Sequence, residues 1–204
     1  YSLRHIEYAD HVRDMEQMFQ ECSDLESLDL STFKTEYVES MAKMFYGCSK
    51  LTSLDVSSFN TRNVNSMNAM FYNCRLVTSL NLANFDTSRV TNMDEMFYFN
   101  QKLTSLDLSS FDTSQVVIMM SMFNGCSSLT SLDVSKCTKL TRLECGENQL
   151  AELDVSKNKA LKELYCDHNS LTQLNISKNT KLQCLGCSNN LLTKLDVSRN
   201  KKLK

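Results

Sequence analysis

The sequence predicts an α/β solenoid, a right-handed superhelix in which one continuous parallel sheet runs through every coil. The main observation is a leucine that returns five times at a spacing of 26 residues and then three times at 21. Methionine and phenylalanine follow the same 26-residue spacing in the first part of the chain. A chain with such a fixed period buries the apolar face of each unit only against its neighbours. The leucines are Leu28, Leu54, Leu80, Leu106, Leu132, Leu153, Leu174 and Leu195.

The repeats predict a single solenoid domain over residues 1–204, with 26-residue repeats in 1–135 and 21-residue repeats in 136–204. A hydrophobic content of 42% supplies enough apolar side chains for a continuous core. Both ends of the sequence fall inside a repeat, so we interpret it as part of a longer protein. No apolar run reaches the roughly 18 residues of a membrane-spanning helix, and we expect no membrane insertion by this part of the protein.

Each long unit is predicted to contain a strand, a corner and a short helix, as residues 51–75 illustrate. Leu51, Leu54 and Val56 form the strand pattern, and Phe59 follows at the turn. Thr61 or Asn63 can cap a helix. The next apolar residues recur at helical spacing, which predicts one buried helical face. They are Val64, Met67, Met70, Phe71 and Cys74. We therefore expect helices to back the sheet over residues 10–126, with the methionine and phenylalanine columns in the core.

Each short unit splits into two arms with the pattern L-x-x-L-x-[VC]-x-x-N. This pattern predicts two strands per turn and no helix, so strands are expected to back the sheet over residues 140–190. Two asparagine columns mark the corners, where stacked amides can bond backbone groups that would otherwise be buried without partners. The columns are Asn158, Asn179 and Asn200, and Asn148, Asn169 and Asn190.

A Leu-Asp-Val motif passes without interruption from the long units to the short ones, and Cys137 marks the junction between them. Its eight copies predict eight parallel strands in one sheet, about 34 Å long at the usual strand spacing. The second position of the motif is occupied by Asp29, Asp55, Asn81, Asp107, Asp133, Asp154, Asn175 and Asp196.

Nine cysteines fall mostly on repeat columns. The spacing of neighbouring coils would permit disulfides. Side chains in register point in parallel, however, and this favours free thiols that act as small apolar residues.

Charge is divided along the chain. Residues 1–133 carry 9 Lys or Arg against 17 Asp or Glu, and residues 134–204 carry 13 against 7. This polarity either supports solubility or attracts one rod to the end of another.

The long unit resembles the 26-residue repeat of BspA-like bacterial surface proteins, through MFYGCSKLTSLDVSSFNT at 44–61 and MFNGCSSLTSLDVS at 122–135. The short unit resembles the 21-residue nested class of bacterial leucine-rich repeats, through LAELDVSKNKALKELYCDHN at 150–169. The resemblance implies a leucine-rich-repeat superhelix in a bacterial cell-surface or secreted protein, often an adhesin for host or matrix proteins. It implies no catalytic residues. Phe99 and Asn100 depart from the usual Gly-Cys, and Val77 replaces a leucine.

No arrangement of residues predicts catalysis, so we expect a protein that is not an enzyme and needs no cofactor and no metal. The three histidines share no column. Cys184 and Cys187 form a lone C-x-x-C in a predicted strand, where residues i and i+3 face opposite sides. No nucleic-acid site is expected. The lysines of the short units are interpreted as a solvated corner: Lys157, Lys159, Lys178, Lys181, Lys201 and Lys202.

Three surface features are candidates for partner binding. An outward ladder of serine and acidic residues is either a default of the repeat that supports backbone hydrogen bonding, or a face for a basic or extended partner. A tyrosine ladder is either half-buried packing or a recognition surface. Two apolar residues in a polar column indicate a contact surface, natural or through self-association. The candidates are Ser53, Asp55, Ser79, Asn81, Ser105, Asp107, Ser131, Asp133, Tyr72, Tyr98, Val117 and Ile118.

These observations favour a non-enzymatic adhesion or protein-binding module of a bacterial cell-surface or secreted protein, with a host or matrix protein as ligand. A structural spacer that projects another domain is an alternative, and so is the recognition arm of a larger effector. The near-invariance of the outward Ser-Asp-Ser pattern favours a spacer or a default surface of the repeat. We also expect weak self-association.

Overall fold

Parallel pairing between successive coils defines the architecture of the computed structural model, which describes residues 12–116 and 118–204, with the backbone alone for Ile118. Strands β1 (Ile118–Met119), β2 (Arg142–Glu144), β3 (Glu163–Tyr165) and β4 (Cys184–Gly186) form one sheet in the order β1-β2-β3-β4. Upstream, isolated parallel bridges join Asp14 to Ser40, Ser40 to Ser66, and Ser66 to Asn92. The pairing crosses the junction, because Ile118 of a long unit pairs with Arg142 of a short one. The chain is therefore a solenoid of stacked coils.

The core is one apolar cluster that extends from Met15 to Leu182. The predicted columns are inside it: Val64, Met67, Met70, Phe71 and Cys74 are each fully buried. Phenylalanine rings stack from coil to coil, with centroid distances of 5.6–6.2 Å along Phe19, Phe45, Phe71, Phe97 and Phe123. In the part of the chain that the structure describes, no helix is long and apolar enough to span a bilayer.

The helices predicted behind residues 10–126 are not found. Within residues 12–116 and 118–204 the structure contains no helix, and these segments are runs of consecutive turns. In the second coil, every second residue from Met41 to Gly47 donates its N–H to a carbonyl of the next coil, over 2.8–3.1 Å. Of the residues between them, Met44 and Tyr46 donate to the carbonyl three positions earlier, and Ala42 donates to the Ser40 hydroxyl oxygen. Lys43 and Gly47 adopt left-handed backbone with φ of 56° and 74°, as the third position of a type II turn requires.

Coil spacing explains why turns replace helices. Packed helices lie about 8–10 Å apart, whereas paired strands lie about 4.8 Å apart. The stacked phenylalanine rings show that neighbouring coils on this wall are only about 6 Å apart. A run of turns has room at this spacing, and it satisfies half of its N–H groups along the axis.

The predicted sheet through the Leu-Asp-Val motifs is also not found, because none of the described motif residues is assigned to a strand. The aspartate oxygen accepts the N–H two residues later, for example at 2.9 Å from Ser57 to Asp55. This Asx turn bends the chain directly after the motif and leaves a short extended stretch. Inter-coil bonds here are long, such as 3.3 Å from the Thr52 N–H to the Glu26 carbonyl. The paired strands lie instead on the wall that was expected to back this sheet.

Both predicted asparagine columns are inside the short units. Asn158, Asn179 and Asn200 are at most 4% exposed. The Asn179 side chain donates to the carbonyls of Val155 and Asn158, each at 3.0 Å. The other column works similarly, and there the Asn169 oxygen also accepts the Leu150 N–H at 2.9 Å. Each amide therefore links its own corner to the preceding coil.

The cysteines are free thiols. Burial raises the pKa of Cys48, Cys126 and Cys166 to about 12, so these thiols stay protonated at neutral pH. Protonated thiols can donate, and the Cys74 thiol donates to the Phe45 carbonyl at 3.2 Å. The column therefore supplies both apolar volume and hydrogen bonds.

Candidate functional site

A groove with a volume of about 610 Å³ lies on the outer side of the Leu-Asp-Val motifs in the first three coils. Its lining combines hydroxyls and carboxylates on a floor made by two leucines. The polar side chains come from equivalent positions of successive coils, so they recur along the groove at the coil spacing. The lining residues are Ser27, Leu28, Asp29, Thr52, Ser53, Leu54, Asp55, Ser57, Thr78, Ser79 and Asn81.

The acidic column is held in place by its own backbone. Asp29 and Asp55 accept the N–H of Ser31 and Ser57 at 3.0 and 2.9 Å. Hydrogen bonds from the backbone and side chain of Ser31 lower the pKa of Asp29, and those from the side chain and backbone of Ser57 lower the pKa of Asp55. Asn81 makes the same turn with Ala83 at 3.2 Å. Both carboxylates are therefore charged at neutral pH, with one oxygen of each occupied by the turn.

Eight of the predicted site residues lie on this ladder, and four of them line the groove. Ser53, Asp55, Ser79 and Asn81 are brought together there. Ser105, Asp107, Ser131 and Asp133 are exposed on the same columns in the next two coils, beyond the groove. Asp107 and Asp133 form the same Asx turn at 2.8 Å.

The tyrosine ladder forms a separate feature on the turn-built wall. Ring centroids are 4.3 Å apart between Tyr46 and Tyr72 and 4.9 Å apart between Tyr72 and Tyr98. All three side chains are half-buried. Burial raises the pKa of Tyr72 to about 12, and the neighbouring Tyr46 makes a smaller contribution in the same direction. The stacking covers the ring faces and leaves the edges accessible, which favours packing over recognition through the ring face.

The predicted apolar contact surface lies outside the described residues. Val117 is not described, and for Ile118 only the backbone is, as the first residue of β1.

Sequence reasoning missed a buried threonine ladder beneath the corner. Thr35, Thr61 and Thr87 are at most 2% exposed. Each donates its hydroxyl to a carbonyl of the next coil, at 3.0 Å from Thr61 to Asp86. Each hydroxyl oxygen of Thr35 and Thr61 also accepts an N–H from that coil. Threonine recurs here at a spacing of 26 residues, and this recurrence could have indicated the ladder. From the sequence, Thr61 is interpreted only as a helix cap.

A charged network at the junction was missed as well. Arg142 on β2 pairs with Glu144 and, at 2.7 Å, with Glu163 on β3. Its guanidinium lies 5.2 Å from the centroid of the Tyr165 ring. The Ser121 hydroxyl donates to Glu144, which ties the last long unit to the first short one. These residues do not recur along the repeat, so no column indicated them.

Among the described residues, no three His, Cys, Asp or Glu side chains are grouped in a way that could hold a metal ion. Cys184 lies in β4 and Cys187 follows it, both half-buried. The hydroxyls and carboxylates of the groove can provide hydrogen bonds and negative charge to a partner.

Comparison with known proteins identifies one family. The model of a family described as Mycoplasma protein of unknown function, DUF285, matches residues 8–80 and 55–143. No curated protein matches the chain.

Several solved structures are similar. One is the functional domain of InlJ from Listeria monocytogenes, which includes a cysteine ladder, at 28% identity and a TM-score of 0.45, covering 89% of this chain and 43% of that one. A second is a leucine-rich-repeat protein of Leptospira interrogans, at 20% identity and a TM-score of 0.43, covering 88% of this chain and 53% of that one. A third is the internalin InlF from Listeria monocytogenes, at 17% identity and a TM-score of 0.41, covering 77% of this chain and 60% of that one. The chain spans about half the length of the first two structures.

Proposed function

The chain belongs to the Mycoplasma family of unknown function DUF285, and from this premise we propose that it is a non-enzymatic protein-binding module of a bacterial cell-surface or secreted protein. The resemblance of its long repeats to BspA-like repeats supports an adhesin for a host or matrix protein. We further propose that residues 1–204 act as one solenoid domain, with the partner on the Ser-Asp side.

The groove is the observation that carries this proposal. It presents hydroxyls from Ser27, Ser53 and Ser79 beside the carboxylates of Asp29 and Asp55, at a regular spacing along its length. An extended peptide presents side chains on one face about every 6.8 Å, so its long side chains can reach carboxylates of neighbouring coils. Because the carboxylates are charged and each has one oxygen outside the Asx turn, lysine or arginine side chains on that peptide are the expected complement.

The test is binding to an array of extended peptides that contain lysine and arginine. Asp29→Asn with Asp55→Asn removes two charges and keeps the turn, as Asn81 already does in the same column. Exposed charge pairs contribute about 0.2–1 kcal/mol each, so the loss of two pairs should weaken binding roughly twofold to thirtyfold. The control, Asp154→Asn with Asp196→Asn, makes the same change outside the groove. Absence of peptide binding by the unmodified chain, or an equal loss in both pairs, would contradict the proposal.

A structural spacer is the second candidate, and the Asx turns favour it. Asp29, Asp55, Asp107, Asp133, Asp154 and Asp196 all accept the N–H two residues later. A column kept for turn geometry would look the same in a spacer. The peptide array separates the two functions, since a spacer binds no peptide.

We also propose weak self-association driven by the charge division between residues 1–133 and 134–204. Opposite charges attract most at low salt. Sedimentation velocity at rising concentration should show reversible dimers at about 10 mM salt that dissociate at about 500 mM. A monomer at both salt concentrations would contradict it.

A further inference from the structure

The corner of the last four coils carries nine exposed cations, which we name the cationic corner. Each corner consists of two successive turns that meet at Cys137, Asn158, Asn179 or Asn200. A cation occupies the third position of the first turn in every coil. The second turn adds at least one lysine per coil. The residues are Lys136, Lys157, Lys178, Arg199, Lys139, Lys159, Lys181, Lys201 and Lys202.

The buried asparagines fix the register of these turns. The Asn158 side chain donates to the carbonyls of Val134 and Cys137 at 2.9 and 2.8 Å. Asn200 makes the equivalent bonds to Ile176 and Asn179 at 3.0 and 2.9 Å. Successive corners are therefore stacked, and their cations recur at about the strand spacing of 4.8 Å.

The long units use the same turn position differently. Ser58, Asn84 and Ser110 occupy it there, and their side chains donate to carbonyls of the preceding coil at 3.4, 2.9 and 3.1 Å. In the coils of Asn158, Asn179 and Asn200 the asparagine amides make these inter-coil bonds from inside. The surface position is thereby released from a structural role in these three coils, and a cation fills it there and beside Cys137 as well.

These cations have few acidic neighbours. In the part of the chain that the structure describes, the ion pairs are made by Arg13, Lys50 and Arg142, and none includes a residue of the cationic corner. The acidic groups that interact with it electrostatically include Asp112, Asp133, Asp154 and Asp196. Three of these border it from the Leu-Asp-Val side. The corner is a linear strip with a surplus of positive charge.

We propose that the cationic corner binds a linear anionic polysaccharide, sulfated or carboxylated, through its regularly spaced cations. A linear polyanion complements a linear cation strip and gains free energy by releasing its counterions. A single-stranded nucleic acid would also need aromatic platforms for its bases. Residues 135–139, 156–160, 177–181 and 198–202 contain no aromatic side chain. This site is separate from the groove, so it does not depend on the function proposed above.

The experiment measures binding of the chain to a heparin octasaccharide by calorimetry at several salt concentrations. Lys157→Ser with Lys178→Ser introduces the residue that the long units carry at this position, as at Ser58 and Ser110. The control, Lys162→Ser with Lys194→Ser, removes the same charge at exposed positions off the corner. Thermal melting checks that both variants fold.

We expect the corner pair to weaken binding about tenfold and the control pair about twofold or less. The corner pair should also lower the slope of log K against log salt by about one per lysine. Equal losses in the two pairs would overturn the proposal, because they would indicate general charge attraction. Two other results would also overturn it: no binding at physiological salt, or equally tight binding to single-stranded DNA or to phosphatidylserine vesicles.

Discussion

Asn100 occupies a position in a cysteine column and makes the same hydrogen bond to the backbone as the cysteines do. Cys48, Cys74 and Cys126 each donate their thiol to the carbonyl 29 residues earlier, at 3.0–3.2 Å. Asn100 donates its amide to the equivalent carbonyl, that of Phe71, at 2.8 Å. Its own oxygen is buried without a hydrogen-bond partner. The departure from the repeat pattern therefore preserves the donor and adds an unsatisfied acceptor.

Asn100→Ala should destabilise the chain and Asn100→Cys should not. The alanine removes the 2.8 Å bond to the buried Phe71 carbonyl, which keeps only the longer 3.4 Å bond from the Cys74 N–H. This loss costs about 0.5–1.5 kcal/mol. Cysteine keeps a donor and removes the unsatisfied oxygen, so its stability should equal or exceed that of the unmodified chain. Urea unfolding gives both values. A cysteine variant as unstable as the alanine variant would show that the amide has a role beyond donating to Phe71.

The aspartate column makes stability depend on pH. Hydrogen bonds from Ser57, Ser109 and Ser135 lower the folded-state pKa of Asp55, Asp107 and Asp133 below the usual range of an aspartate. A lowered folded-state pKa contributes stability that is present above the unfolded-state pKa. It is lost as pH falls through the folded-state pKa. The chain should therefore lose stability as pH falls below about 4.

Replacing Asp55, Asp107 and Asp133 by asparagine should reduce this acid sensitivity. Asparagine keeps the turn acceptor, as Asn81 and Asn175 show, but it does not titrate. Melting temperatures at pH 7 and pH 3 should differ less for this variant than for the unmodified chain. Glu16→Gln, Glu147→Gln and Glu152→Gln together remove the same charge at exposed positions outside these turns. If this control reduces the pH dependence equally, the Asx turns are not its source.

At the scale of the element, the run of turns that replaces each predicted helix favours glycine at positions where a helix would disfavour it. Gly47 has a φ of 74°, and Lys43 has a φ of 56° in the same coil. A left-handed residue with a Cβ costs about 1–2 kcal/mol. In a helix, by contrast, glycine is about 1 kcal/mol worse than alanine.

The sign of the stability change on Gly47→Ala therefore distinguishes a run of turns from a helix. In the run of turns it should cost about 1–2 kcal/mol, and the new Cβ would also meet the Glu21 carboxylate at 2.7 Å. In a helix it would stabilise. The reverse change, Lys43→Gly at a half-exposed position, should be neutral or stabilising here and unfavourable in a helix. Chemical denaturation supplies both signs, and a stabilising Gly47→Ala would refute the turn structure.

The sequence predicted which residues are buried in each coil better than it predicted the backbone that buries them. Val64, Met67 and Met70 are core residues as expected. A spacing of three or four residues suits a run of turns as well as a helix, because both return a side chain to the same wall. Lys43, Ala69 and Glu95 occupy left-handed positions without being glycine, so composition gave no sign of the turns. The sheet was assigned to the wrong wall because both walls carry regular apolar columns.

The candidate site was predictable as columns but not as a groove. Ser53, Asp55, Ser79 and Asn81 are on the outer surface, as alternation in the motif indicated. Their concave arrangement depends on how the first three coils curve, and the repeat spacing contains no information on curvature.

At the scale of the whole molecule, the junction decides whether the two repeat types unfold together. Stacked repeats are stabilised by interfaces with their nearest neighbours, so a weak interface divides the chain into separate cooperative units. Here the interface includes β1–β2 pairing, the Ser121–Glu144 hydrogen bond, and the Asn158 amide bonds to Val134 and Cys137. These contacts predict one unfolding transition for both parts of the unmodified chain.

Asn158→Ala should divide that transition in two. It removes one of the two donors to each of the Val134 and Cys137 carbonyls, which keep the N–H bonds of their own turns. Each lost bond costs about 0.5–1.5 kcal/mol, and the loss lies at the interface between the repeat types. Native-state hydrogen exchange can follow the Phe71 amide, bonded to Met96, and the Cys166 amide, bonded to Gly186, as probes of the two parts. The two should share one opening free energy in the unmodified chain and differ in the variant. Asn200→Ala removes equivalent bonds in the last coil of the structure, where it should loosen only that coil. Equal opening free energies for Phe71 and Cys166 in Asn158→Ala would show that the remaining junction contacts suffice to couple the two parts.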